Sequence, residues 1–207
     1  MVGVRYRRVV YKDDKTMKLF TEIDYPSPNI TIEDIENWRA FGEDHRDIPD
    51  IISGIPLTMK PGIERRMHDK TNGDETEFYS WVPNNLRQFM DNIPYKSWFW
   101  TIVFLKPHQQ LPIHVDTRLD VPTHNMTRLH WPIKTNEFCE MIWFEDDRTT
   151  IIEKAYLEAN KCYAVNVVVP HTVTNNSGKE RIHLLCNIDI PYLNFIKDNY
   201  EIFNARE

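Results

Sequence analysis

The pattern of apolar and polar positions changes near residue 98, and the two sides of that change predict different kinds of structure. Residues 4–22 mix apolar and basic positions and allow one or two strands. Thr31 with Asp34 three positions on, then Ile35, Trp38 and Phe41 at helical spacing and Gly42 as a stop, predicts a short amphipathic helix. Residues 44–74 are polar and broken by Pro49, Gly54, Pro56, Pro61, Gly62 and Gly73, so they read as an irregular connection with room for short strands. A second helix is expected over 83–93, with Leu86, Phe89 and Met90 facing inward.

From residue 98 the chain is a series of short runs separated by turn signals, as in an antiparallel sandwich or barrel. The run 98–105 is apolar on both faces and ends before Pro107, as a strand buried between two layers should. Further strands are expected over 113–116, 127–133, 138–144, 149–153, 162–169, 171–174 and 181–189. Leu193, Ile196, Tyr200 and Phe203 then recur at helical intervals and predict a helix outside the barrel. The count predicts a mainly β fold with flanking helices, a jelly roll whose two facing sheets enclose a cavity. One domain over residues 1–207 is expected: an N-terminal helical and irregular support region (1–95), a core (96–190) and a C-terminal helix (191–207).

Composition narrows the partners. A formal charge of -6, with Lys and Arg scattered and no long basic run, argues against nucleic acid and anionic membrane. The basic, interrupted start is unlike a signal peptide and no run approaches membrane-spanning length, so a soluble, cytoplasmic protein is expected. Cys139, Cys162 and Cys186 are odd in number and lack CxxC spacing, so they read as core thiols. Asn29, Asn125 and Asn175 each open a glycosylation pattern that carries no weight in a protein that is not secreted. The Trp residues, Trp98, Trp100, Trp131 and Trp143 among them, read mainly as core, with one able to wall a substrate.

The candidate chemistry lies in Ile113-His114-Val115-Asp116, Val169-Pro170-His171 and Arg181. Two residues apart on extended chain, His114 and Asp116 point to the same side and can offer two ligands to one metal. With His171 added, two imidazoles and a carboxylate make the face that holds Fe(II) and leaves positions open. An HxD alone is weak: His45-Arg46-Asp47 has the same pattern, and His108 has Arg118 ten residues on. Those lie in polar or Pro-broken loops, whereas His114 is in extended sequence, His171 follows a Val-rich run and Arg181 opens an alternating strand. Arg128 and His130, also two apart, share a face and could bind a ligand or form a buried pair with an acid such as Glu140. His68, His124 and His183 lack a correctly spaced partner and are expected at turns or on the outer face.

Over residues 98–189 the chain resembles the 2-oxoglutarate and Fe(II)-dependent oxygenases, whose double-stranded β-helix carries HxD, a distal His and an Arg about ten positions later. More narrowly, Arg128-Leu129-His130, the run 163–175 ending in Pro170-His171-Thr172-Val173-Thr174-Asn175, and Arg181-Ile182-His183-Leu184 look like the aspartyl/asparaginyl β-hydroxylase superfamily, which includes the free proline 3-hydroxylases.

The resemblance implies that His114, Asp116 and His171 bind Fe(II), that Arg181 clamps the distal carboxylate of 2-oxoglutarate, and that Arg128 and His130 add donors to that co-substrate. It implies O2-dependent hydroxylation of an unactivated C–H in a free amino acid or a peptidyl residue, with succinate and CO2 as co-products. A lid is expected in 117–126 and in the broken segment before residue 75, with Arg118, Asp120 and His124 as candidate substrate contacts. Two rival classes remain: a cupin-like metal enzyme without an oxo acid, which needs neither Arg181 nor Arg128, and a noncatalytic ligand-binding barrel, which does not need Asp116 beside His114.

Overall fold

The structure is a computed structural model that describes residues 19–42, 44–45, 51–59, 77–116 and 126–197. It is mainly β, a double-stranded β-helix of two facing antiparallel sheets with helices on one outer side. The large sheet contains, in spatial order, β1 (Phe20–Ile23), β11 (Cys162–Val165), β8 (Thr127–Lys134), β13 (Arg181–Ile188), β6 (Ser97–Leu105), β3 (Ile52–Pro56) and β2 (Asp44–His45). The small sheet runs β10 (Ile151–Tyr156), β9 (Glu140–Phe144), β12 (His171–Asn175) and β7 (Gln109–Gln110). A two-stranded ribbon pairs β4 (Thr58–Met59) with β5 (Glu77–Phe78).

Period-two alternation divides the large sheet into a helix-facing side and an inward side. Trp100, Ile102 and Phe104 of β6, Leu129 and Trp131 of β8, and Ile182, Leu184 and Cys186 of β13 all join one buried cluster. The helix α1 (Ile32–Gly42) adds Ile35 and Trp38 to it, and α2 (Asn84–Asp91) adds Leu86 and Met90. Trp100 and Trp131 stack at 5.6 Å between centroids while Phe89 meets Trp131 edge-on at 5.4 Å. Burial of rings of this kind contributes about 1.5–3 kcal/mol each and fixes the back of the sheet. A second cluster, with Trp98, Trp143, Met141, Val165, Val167 and Val173, lies between the sheets.

The start of α1 is set as the sequence predicts. Thr31 Oγ1 accepts from the Asp34 backbone N–H at 3.1 Å while the Asp34 carboxylate accepts from the Thr31 N–H at 2.9 Å. The second helix is shorter than the expected 83–93, and residues 192–197 are helical where the C-terminal helix is predicted. The rest of that helix, residues 4–18, Asp47, His68 and most of the Pro- and Gly-broken segment lie outside the described residues.

The large sheet also draws on chain before residue 96. The strand β3 lies against β6 with Gly54 opposite Val103 and Ile55 opposite Ile102. Its Pro56 falls beyond the pairing with β2, which covers only Ser53 and Gly54, so the missing N–H removes nothing from that ladder.

A β-bulge interrupts β6. Against β13, Leu185 faces Thr101 and Asn187 faces Trp98, so β6 carries one extra residue. Phe99 takes it up with φ 58°, left-handed backbone at a bulky residue, and both Trp98 and Phe99 pack toward the cluster between the sheets. Among the described residues no helix is long and apolar enough to cross a membrane.

Candidate metal and acid-binding site

The backbone of β12 positions the site. His114 forms an isolated antiparallel bridge to His171, each N–H donating to the other's carbonyl at 2.9 Å. Leu111 N–H donates to Val173 O at 3.0 Å, and Asp116 N–H to Val167 O at 3.0 Å. The expected strand 113–116 is therefore extended and docked but is not a continuous ladder. Pro112 has no N–H to give, and the partner chain makes four steps from 171 to 167 against two from 114 to 116.

That docking brings one potential ligand atom from each of His114, Asp116 and His171 within 4.8 Å of one another. His114 Nε2 lies 3.8 Å from Asp116 Oδ1 and His171 Nε2 lies 3.7 Å from Asp116 Oδ2. Each imidazole is held by its other nitrogen: Nδ1 of His114 bonds Pro112 O at 2.8 Å and Nδ1 of His171 bonds Val169 O at 2.9 Å. A carbonyl only accepts, so each ring carries a proton on Nδ1 and turns its Nε2 toward Asp116. Burial pulls His171 down to about 4, against the opposing pull of Asp116, so the ring is neutral at pH 7. A neutral ring is what a metal requires. The side chain of His114 is 36% exposed and that of His171 3%, so the group opens on the His114 side.

Behind it, the inward side of the large sheet is polar. Arg128 and His130 share it, as their spacing predicts, with Arg181, His183 and Asn187 of β13 in the adjacent strand. Arg128 does not pair with Glu140, which sits 4.0 Å from Lys154. Its Nη1 donates to Asp116 Oδ2, its Nε to Asn187 Oδ1 at 2.8 Å, and its guanidinium lies 5.5 Å from the Phe99 ring centroid. Arg181 is 5% exposed and has no carboxylate partner among the described residues. Burial lowers it to about 10.

His183 was expected at a turn or on the outer face, and the structure corrects this. It is fully buried, with Nδ1 at 3.0 Å from Arg181 Nη2 and its ring 5.8 Å from that of His130. The signal was in the sequence: His183 stands two residues from Arg181 on one strand, the same spacing that joins Arg128 to His130. Arg118, Asp120 and His124 lie outside the described residues.

Burial, then the charges of Arg181 and Arg128, pushes His130 well below the usual imidazole range, and burial with Arg181 does the same to His183. Below about pH 6.5 these imidazoles take up protons in the unfolded chain but not in the native one. Stability of the metal-free protein should therefore be greatest above that pH and fall by up to about 1.4 kcal/mol per pH unit for each of the two rings as the pH drops. Urea midpoints between pH 7.5 and 5 measure this, and a flat profile would contradict the neutral assignment.

Comparison with known proteins adds to this geometry. An oxidoreductase of the 2OG-Fe(II) oxygenase family from Burkholderia pseudomallei shares 10% identity at TM-score 0.48, over 76% of this chain and 77% of that one. A prolyl-4-hydroxylase from Pseudomonas putida shares 14% identity at TM-score 0.47, over 76% and 83%. AviO1 from Streptomyces viridochromogenes Tue57 shares 15% identity at TM-score 0.44, over 83% and 90%. No curated protein matches the sequence. The sequence profile of aspartyl/asparaginyl beta-hydroxylase matches residues 73–191, more than half of the chain and all seven of the clustered residues from His114 to His183, and the protein belongs to that family.

Proposed function

We propose that the protein is a 2-oxoglutarate- and Fe(II)-dependent dioxygenase that hydroxylates an unactivated C–H of a free amino acid or a peptidyl residue, releasing succinate and CO2. The observation that carries this reading is a conjunction. Two imidazoles and a carboxylate converge at one point, and a buried arginine without a carboxylate partner among the described residues stands on the inward wall behind them. Nε2 of His114, Nε2 of His171 and a carboxylate oxygen of Asp116 would hold the iron, a donor set suited to non-haem Fe(II). Bound there, the metal would supply the activation of O2 coupled to oxidation of the 2-oxo acid, chemistry that belongs to the cofactor.

The protein's own part is positioning. Arg181 offers a planar fork of donors to the distal carboxylate of the co-substrate, a fit that Lys does not reproduce. His130 adds a donor from the neighbouring strand. Arg128 flanks the same wall while its Nη1 and Nε hold Asp116 and Asn187 in place. Substrate reaches the site from the exposed His114 side, with Arg118, Asp120 and His124 as its candidate contacts. Neither nucleic acid nor a membrane is needed as a partner.

Anaerobic addition of Fe(II) and then 2-oxoglutarate to the intact protein should produce the visible charge-transfer absorption of a chelated oxo acid. Metal binding with no response to 2-oxoglutarate would instead indicate a cupin-like metal enzyme, and binding of neither a ligand barrel; either result would sink the proposal. Succinate release screened against amino acids and short peptides then identifies the substrate.

A further inference from the structure

The edges of a sheet carry unpaired backbone groups, and proteins ordinarily blunt them with short strands or charges. Three of the four edges of the two facing sheets are blunt: β2 and β7 have two residues each, and β1 has four with no large apolar side chain exposed. The fourth, β10, is six residues long and pairs only with β9 among the described residues. Its Ile151, Ile152 and Tyr156 are 37–48% exposed, three of the six large apolar side chains exposed among the described residues. Its one cation, Lys154, stands 4.0 Å from Glu140 on β9 and so leans away from the outer edge.

The occupant of that edge is indicated by the path of the chain. Leu19 N–H donates to the Glu153 carboxylate of β10 at 2.9 Å, and Leu19 O accepts from Asn166 N–H at 2.8 Å. The residue before Leu19 is thus bonded to a nitrogen held against β10, and the preceding segment starts within a side chain's length of the open edge. Within it, residues 4–11 contain Val4, Tyr6, Val9, Val10 and Tyr11, residue types suited to a strand, with three Arg and no acid. The exposed turn that leads into β10, Glu145-Asp146-Asp147-Arg148, has three acids against one base.

Reach and concentration favour the chain's own segment over a second copy. Residues 12–18 extend to roughly 23 Å and a six-residue strand measures roughly 20 Å, so the link is long enough to lay residues 4–11 along β10. A tether that short gives an effective concentration of about 1 mM, about 1000-fold above that of a second copy at about 1 μM.

We propose that residues 4–11 add to the small sheet as a strand on the outer edge of β10, packing against Ile151, Ile152 and Tyr156 and bringing their arginines to the acidic turn. The sequence allows a strand in this stretch without naming its partner, and β10 supplies one.

Amide exchange on the full chain tests it. In an antiparallel strand alternate N–H groups face away from the partner, so with no further neighbour the outward amides of β10 exchange as exposed groups. They should instead exchange at least about ten-fold more slowly than that. Fast exchange of every second amide in β10 overturns the proposal without any variant. Consecutive residues of a strand send their N–H groups to opposite edges, so at least one of Val9→Pro and Val10→Pro must break the added ladder. That variant should lose the protection in β10 while β13 keeps its own. Protection that survives both substitutions also overturns the proposal: if it rises with protein concentration the occupant is a second copy, and if it does not, another segment.

Discussion

His171→Ala should abolish tight metal binding, with a loss of at least about 100-fold, above the range for removing a residue that merely supports a ligand. The ring is 3% exposed, neutral, and aimed by its Nδ1 contact to Val169 O, so Nε2 has no role in the described contacts besides facing Asp116. The fold has little reason to fail with it. The bonds that dock the His114 segment at this point come from the backbone of residue 171, which alanine retains. Asp116→Ala is a poorer probe because it also strips Arg128 of its carboxylate. Anaerobic calorimetry with Fe(II) on His171→Ala and the unaltered protein decides the matter; binding within ten-fold of each other would remove His171 from the ligand set.

Arg181→Met should separate binding from stability. Losing a charge-assisted fork on a carboxylate weakens 2-oxoglutarate binding by about 2–5 kcal/mol. Removing a large buried side chain ordinarily destabilises, but here it also removes a buried cation that no carboxylate among the described residues neutralises. Against that gain stands the loss of the donor to His183 Nδ1, worth about 1–3 kcal/mol as a buried polar atom left unpaired. The metal-free variant should therefore unfold at a denaturant midpoint equal to or above that of the unaltered protein. A variant destabilised by more than about 2 kcal/mol that binds the oxo acid normally would make Arg181 a structural residue.

How much of this could be read from the sequence depended on whether each signal was local. The strands from β6 onward are short runs marked off by turn signals, and the Thr31 cap is chemistry within four residues. The choice between the HxD patterns also rested on local texture. His45, expected in a loop, instead lies in the two-residue strand β2 at the sheet edge, while His108 sits in a turn with φ 56°.

What was not legible depended on partners far along the chain. Gly54 and Pro56 disguise β3, whose strand character comes from pairing with β6 some fifty residues on. Arg128 looks as ready for Glu140 as for anything else until β13 places Asn187 opposite it. Asn175 carries a glycosylation pattern, yet it is buried, with its amide nitrogen donating to the carbonyls of Leu105, Lys106 and Lys179. His183 failed for a different reason, since the alternation rule applied to Arg128 and His130 would have put it beside Arg181.

The bulge at Phe99 sets the phase of everything that follows it on β6. A strand is read in steps of two, and one extra residue reverses which set of side chains belongs to which layer. With Phe99 present, Trp98 faces the second sheet while Trp100, Ile102 and Phe104 face the helices, leaving Thr101, Val103 and Leu105 to line the inner side. Without it, Trp98 and Trp100 could not keep opposite allegiances: either the first must leave the gap between the sheets, or three bulky side chains must turn into it. The left-handed residue is thus a frameshift written into the backbone, and which side chains face the space in front of His114, Asp116 and His171 follows from it.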